Sequence, residues 1–239
     1  MSKRNAVILS GILLYLIGVI ISLSLSAVMM WGEMEARLYT QQSGDKHLKI
    51  ACPLLIAPWE SAVISTVVTN TLRDQDTRPQ VNAIISHEKE ARVVTQTLEL
   101  GPFDSRSLQW TVSASDIVFE RLILVNILQR PYRDLPSRQG ACSIVVFSLF
   151  GWSGMGTLYA TVAAGVAASL AGAGLLYSRH RPLTDFTKKI AALNAVFLAL
   201  VLMGLVSALT RLWGLTLLLD SAALLVIAAG SIEIFLAKR

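Results

Sequence analysis

The sequence predicts a membrane α+β fold: a four-helix transmembrane bundle with an extracytoplasmic immunoglobulin-like β-sandwich inserted between helices 1 and 2. Three observations predict it. Four uncharged or nearly uncharged apolar stretches reach the ~20 residues that a bilayer core requires. The block Gly32–Gly140 carries 12 Lys and Arg against 13 Asp and Glu, a net charge of −1. Eight of the other nine basic residues sit in three short patches, Lys3/Arg4, Arg179/Arg181/Lys188/Lys189 and Lys238/Arg239, with Asp185 the only acid among them. This is the positive-inside pattern, which predicts both termini and the loop 178–189 in the cytoplasm and the near-neutral block outside.

Residues 1–32 form the first predicted region. Ala6–Trp31 is 26 residues without a charge, preceded by Lys3 and Arg4. Ser24-Leu25-Ser26-Ala27 loosely resembles a signal-peptidase site, so a cleavable leader is the rival reading; the apolar run exceeds a usual signal core and favours a retained anchor. Ser10/Gly11, Tyr15, Gly18, Ser22 and Ser26 recur every three or four residues, a face on which another helix can approach closely.

Residues 33–150 read as the outer β-domain. Alternating, β-branched segments at Leu48–Ile56, Ala62–Asn70, Gln80–His87, Arg92–Leu100, Ser107–Ser113, Ile117–Leu128 and Ala141–Leu149 are the candidate strands, with Gly-, Pro- and Asp-rich turns between several of them. Seven short strands in about 100 residues suggest a two-sheet sandwich. The Cys–Trp–Cys spacing of antibody domains is absent. Cys52 and Cys142 are the only cysteines, and a structural disulfide between the first and last strands is the natural reading. A redox pair and two free buried thiols are the alternatives.

Residues 151–239 hold the other three helices. Gly151-Trp152-Ser153-Gly154-Met155-Gly156 reads as a flexible elbow with Trp152 at interfacial depth. The second helix, about Thr157–Ser178, is dominated by small residues, including Gly165 and Gly172, and is expected to be central in the bundle or docked on a partner. Ile190–Leu209 and Leu212–Leu236 follow as a hairpin, with Trp213 an interface anchor. Asp220 and Glu233 are the only acids within the apolar spans. Intramembrane acids are functional suspects, but pairing of Asp220 with Arg211 and of Glu233 with Lys238 explains them more simply. Interhelix contacts and a proton or ion path are the other readings.

Composition narrows the function. With 54% hydrophobic residues and a mean hydropathy of +0.57, the chain is too apolar for an ordinary soluble domain. Its pI of 9.4 reflects juxtamembrane loops rather than a nucleic-acid surface, since no basic run has interleaved aromatics. His47, His87 and His180 lie far apart, and no predicted membrane helix contains a His, so no metal or haem site is expected. No Gly-x-Ser-x-Gly elbow, phosphate loop, His-Glu-x-x-His or dinucleotide fingerprint occurs. No catalytic residue, metal or cofactor is nominated.

The order of one helix, a β-rich outer region and three helices is similar to that of claudin-like four-helix proteins. The Trp…Gly-Leu-Trp…Cys…Cys motif of that family is missing, so the likeness covers topology alone. The leading expectation is a non-catalytic membrane subunit or scaffold, with other membrane protein subunits and the lipid bilayer as partners. The alternatives are an adhesion or sensing protein whose sandwich binds a protein or glycan through Trp59, Trp110 or Tyr132, and a transporter or enzyme component using Asp220 and Glu233. The outer block has no Asn-x-Ser/Thr acceptor, which points to a bacterial plasma membrane.

Overall fold

A computed structural model of the chain describes residues 3–39, 44–179 and 185–236; the side chains of 3–5, 179, 185–187 and 231–236 lie outside the description. The predicted roles of His180, Arg181, Lys238 and Arg239, and of the Glu233, Lys3, Arg4 and Arg179 side chains, therefore fall outside the described residues. The apolar runs form α1 (Lys3–Leu38), α2 (Gly154–Arg179), α3 (Asp185–Leu209) and α4 (Trp213–Leu236). All four are long and apolar enough to cross a membrane. Helix is what such sequences must form in hydrocarbon, because no water is available there to satisfy backbone N–H and C=O groups.

The chain divides into two compact units, one formed by Met1–Met30 with Leu158–Arg239, the other by Trp31–Thr157. In the helical unit, α1 has described neighbours on two sides. Tyr15, Val19 and Leu23 pack with Phe197, Leu200 and Val201 of α3 and with Ala223 and Val226 of α4. Gly11 and Gly18 face α2. The middle position expected of α2 thus belongs to α1, which carries a small-residue stripe on one side and bulky apolar residues on the other.

The second unit is β-sandwich-like. Its strands are β1 (Lys46–His47), β2 (Ile50–Ala51), β3 (Leu55–Ile56), β4 (Ala62–Thr69), β5 (Gln80–Ile85), β6 (Arg92–Thr97), β7 (Ser105–Val112), β8 (Leu122–Gln129) and β9 (Arg138–Val146). One sheet has the order β1-β9-β8-β5-β6, with β3 also pairing with β9; the other is β2-β4-β7. The core between them includes Ile64 and Val68 from β4, Trp110 and Val112 from β7, Ile123, Val125 and Ile127 from β8, and Cys142 and Ile144 from β9. Each set is spaced by two or four residues, as the side-chain period of two in pleated strands requires.

Three expectations change here. The predicted strand Leu48–Ile56 is divided, because the chain leaves β9 after β1, crosses to β4 as β2, and returns to β9 as β3. The predicted strand Ile117–Leu128 begins only at Leu122; Phe119 and Glu120 take positive φ values of 50° and 63° in a tight turn closed by Val118 and Leu122. Asp116, just before that segment, lies in a short 3-10 turn and is buried.

The third change concerns α1, which continues past Trp31 to Leu38. At ~1.5 Å per residue its 36 residues span about 54 Å, well beyond a hydrocarbon core. The added turns belong to the β unit. There Gly32 lies against Ser143 and Leu122, and the Ser143 N–H donates to the Glu33 carboxylate at 3.4 Å. Leu124 and Asn126, on the same sheet face, are fully buried. The large sheet is therefore covered on both faces, which explains why β8 reads Leu-Ile-Leu-Val-Asn-Ile-Leu-Gln rather than as an alternation.

Candidate functional site

Four glycines singled out by spacing meet in one seam between α1 and α2. A Cβ at Gly18 would overlap the Ser169 backbone nitrogen and lie 2.6 Å from the Gly165 carbonyl oxygen. A Cβ at Gly172 would collide with the Tyr15 backbone, and one at Gly165 would lie 3.0 Å from Ser22 Oγ. At Gly11 the nearest atom would be Leu175 Cβ, 3.2 Å away. At Gly18 and Gly172 only glycine permits this backbone approach. The seam hydroxyls are satisfied on their own helices: Ser22 donates to the Gly18 carbonyl at 2.9 Å and Ser169 to the Gly165 carbonyl at 2.8 Å.

The opposite side of α2 also carries small residues. Ala164, Ala167, Ala171 and Gly174 are exposed, and a Cβ added at Gly174 would meet nothing. Small side chains gain little from lipid, so this stripe differs in kind from the exposed leucines of α4.

Asp220 lies on α4 at the junction of three helices. Its Oδ2 accepts a hydrogen bond from the Ser26 hydroxyl of α1 at 2.8 Å. Its Oδ1 is buried without a hydrogen-bond partner and sits where a Cβ on Gly204 of α3 would be. The described contacts of Asp220 are therefore with Ser26 and Gly204, whereas Arg211, its expected partner, stands in the turn between α3 and α4. Sequence reading missed Gly204 and Ser26 as the carboxylate's seat, although Ser26 had been placed on the small-residue face. Glu233 belongs to α4, but its side chain lies outside the described residues.

In the β unit, Cys52 and Cys142 form a disulfide across 90 residues of chain, with Cα atoms 6.6 Å apart. It ties the segment between β2 and β3 to the middle of β9. The buried Asp116 carboxylate takes an ion pair from Arg92 at 3.2 Å and a hydrogen bond from the Ser113 N–H at 3.0 Å. Fully buried Gln129, on the core face of β8, has neither amide atom partnered. A surface cleft of about 570 Å³ is lined by Tyr39, Glu88, Ser115, Ile117, Val118 and Phe119. Partial burial raises the Tyr39 hydroxyl above its ordinary pKa. No acid–base pair or nucleophile converges there. Among the described residues no three of His, Cys, Asp and Glu gather as a metal-holding group.

Trp59 is well exposed, Trp110 is in the core and Tyr132 is half-buried, so of the three proposed ligand anchors Trp59 alone stands fully free. The outer face of β2-β4-β7 is uncharged where β4 pairs with β7. Val63 and Val67 are exposed, opposite Thr111 and Ser107, with Ser65 opposite Gln109 between them.

Two turns carry a different feature. Trp152 N–H donates to the Leu149 carbonyl at 2.9 Å, and the two residues between them, Phe150 and Gly151, take φ values of 53° and 76°. That is the type I′ pattern, which favours Asn or Gly at its first central position. Phe at positive φ costs on the order of 1–2 kcal/mol. Phe119 bears the same cost in its own turn.

No family model matches the chain, and no curated protein matches it. Solved structures overlap it in part. A Paenibacillus cycloisomaltooligosaccharide glucanotransferase aligns at 21% identity over 44% of this chain and 14% of its own, with a TM-score of 0.34. The CARDB domain of a Pyrococcus furiosus protein, solved with di-metal ions, aligns at 16% identity over 45% of this chain and 99% of its own, with a TM-score of 0.32. A superoxide reductase from Ignicoccus hospitalis aligns at 8% identity over 44% of this chain and 83% of its own, with a TM-score of 0.32. None of these overlays assigns an activity to this chain, which spans 14% of the glucanotransferase's length.

Proposed function

We propose that this protein is a non-catalytic integral membrane subunit or scaffold, with both termini cytoplasmic and residues 33–150 outside the plasma membrane. The observation that carries this reading is the second small-residue side of α2. Gly165, Ser169 and Gly172 are used against α1, whereas Ala164, Ala167, Ala171 and Gly174 are exposed among the described residues and suit close packing by another transmembrane chain. The orientation rests on the basic patches flanking the apolar runs. The test is native electrophoresis and pull-down in mild detergent. Ala164→Ile with Ala171→Ile should release the protein from its assembly while leaving its own fold intact. A lone monomer under every condition, with or without those substitutions, sinks the reading.

A second reading, ligand or partner-protein binding outside the cell, is favoured by the exposed, uncharged Val63/Val67 face. Val63→Glu with Val67→Glu would abolish such binding without disturbing the core, since neither side chain enters it. Retained binding by this double variant removes the second reading.

A further inference from the structure

Seven Phe and Trp side chains of the β unit are exposed, and six of them gather at one end: Trp31, Trp59, Phe119, Phe147, Phe150 and Trp152. That they share an end follows from the pairing within the unit. Leu122 opens β8 and pairs with Val145 near the close of β9, so the Val118–Leu122 turn bearing Phe119 lies beside the strand end that leads to Phe147 and Phe150. The Val146 N–H donates to the Arg121 carbonyl at 2.8 Å, and the Phe147 N–H to the Ile56 carbonyl at 3.0 Å. Trp59 follows Ile56 by three residues. The neighbouring Glu60 carboxylate accepts from the Gly154 N–H at 2.9 Å. The Trp31 ring lies 6.3 Å from Phe119, and the Phe150 ring 6.0 Å from Trp152. The seventh, Phe103, is at the far end, in the turn before β7 where Ser105 meets Thr69.

This crowded end is also where the chain joins its apolar helices. Trp31 closes the uncharged run Ala6–Trp31, and Trp152 stands two residues before α2. Phe119 and Phe150 are 61% and 88% exposed at positive φ. In water a phenylalanine so placed bears the cost of its backbone and gains from its ring only the contact with one neighbouring tryptophan. Tryptophan and its aromatic neighbours are the residues that partition to the boundary between lipid headgroups and acyl chains.

We propose that this end of the β unit is a lipid-binding surface, with Phe119 and Phe150 inserted at the headgroup–acyl boundary of the outer leaflet and the tryptophans ringing them. The inference rests on the reading that the four helices span a bilayer. The two turns act as supports, because hydrogen bonds close each positive-φ backbone, in both directions between Val118 and Leu122 and in one from Trp152 to Leu149, and so aim each ring.

The test uses the full chain in nanodiscs of phosphatidylethanolamine and phosphatidylglycerol. The native cysteines are joined, so a nitroxide on Phe119→Cys, Phe150→Cys, Phe103→Cys or Leu224→Cys reports one site each. Labels at 119 and 150 should lose accessibility to a water-soluble nickel chelate while keeping it to oxygen, and the label at 103 should stay open to the chelate. Chelate access at 119 and 150 equal to that at 103 overturns the proposal. Protection from both chelate and oxygen also overturns it, because protein rather than lipid then covers the rings. Leu224, exposed on α4, separates the two failures: if it too is open to the chelate, the membrane-spanning reading falls; if it is shielded, only the lipid surface does. Trp59→Cys and Trp152→Cys, at positions without positive φ, give the same readout should the phenylalanine variants not fold.

Discussion

The β unit hides its leucines and isoleucines, whereas the helical unit displays them. Ile64, Ile85, Ile123 and Ile144 are fully enclosed between sheets, while Leu218 and Leu225 of α4 are 68% and 70% exposed. Both units bury polar residues, but satisfy them differently. Among the helices, Ser22, Ser26, Ser169, Ser207 and Thr216 are buried and bonded inward, mostly to carbonyls one turn back. In the β unit a converging set can meet one buried group, as where Asn70 donates to the Gln75 and Gly101 carbonyls and accepts from the Leu72 N–H, while Gln129 is left unpartnered. The contrast is the one that two different solvents would impose. Where water surrounds the unit, burial of apolar area drives folding. Where lipid is expected, that drive is lost and close packing of small residues takes its place.

Perturbing the two units should therefore give different signatures. The largest effect is expected in the β unit. Replacing both Cys52 and Cys142 by serine releases a 90-residue loop and should cost about 4 kcal/mol, read by urea unfolding of the detergent-solubilised chain. If the loss is negligible, the sheets hold themselves and the cross-link is incidental. In the helical unit Gly18→Leu drives a side chain into the α2 backbone; about 3 kcal/mol should be lost, visible as a lower thermal transition of the helices with the β signal unchanged. A simultaneous loss of both signals would break the division into two units. Asp116→Ala removes the partner of Arg92 and of the Ser113 N–H, and about 2 kcal/mol of β-unit stability should go with it.

Phe150→Gly should raise stability by about 1 kcal/mol in detergent, since glycine accepts the positive φ without steric cost; a drop instead would mean the ring makes contacts that outweigh the backbone cost. The smallest change is Ser26→Ala, about 0.6 kcal/mol, measured by thermal stability of the helices. Asp220→Asn keeps an oxygen for the same hydroxyl and should leave assembly unaltered. Loss of a proton- or ion-dependent activity in Asp220→Asn, with assembly intact, would restore a transport reading.

The helices were legible because uncharged runs leave the chain few alternatives. Most strands were legible because β4 and β7 face core on one side and solvent on the other, which writes an alternation into the sequence. The remainder was hidden where a local pattern had a distant cause. β8 lost its alternation because the last turns of α1 cover its second face, and the charges at Glu33, Glu35 and Arg37 resembled the end of a helix rather than its continuation over a sheet. Nothing local marked the crossing from one sheet to the other between His47 and Leu55. The four glycines were found by spacing. The seat of Asp220 was not, because Ser26 and Gly204 approach it from two other helices, which spacing along α4 cannot reveal.

Strand β9 pairs with β8, β1 and β3 and supplies Cys142, yet it is the last strand to leave the ribosome. Until translation passes Val146, β1 and β3 have no edge to join and Cys52 has no mate. The β unit must therefore stay open through most of its synthesis, then close around a strand inserted between earlier ones just before α2 is made.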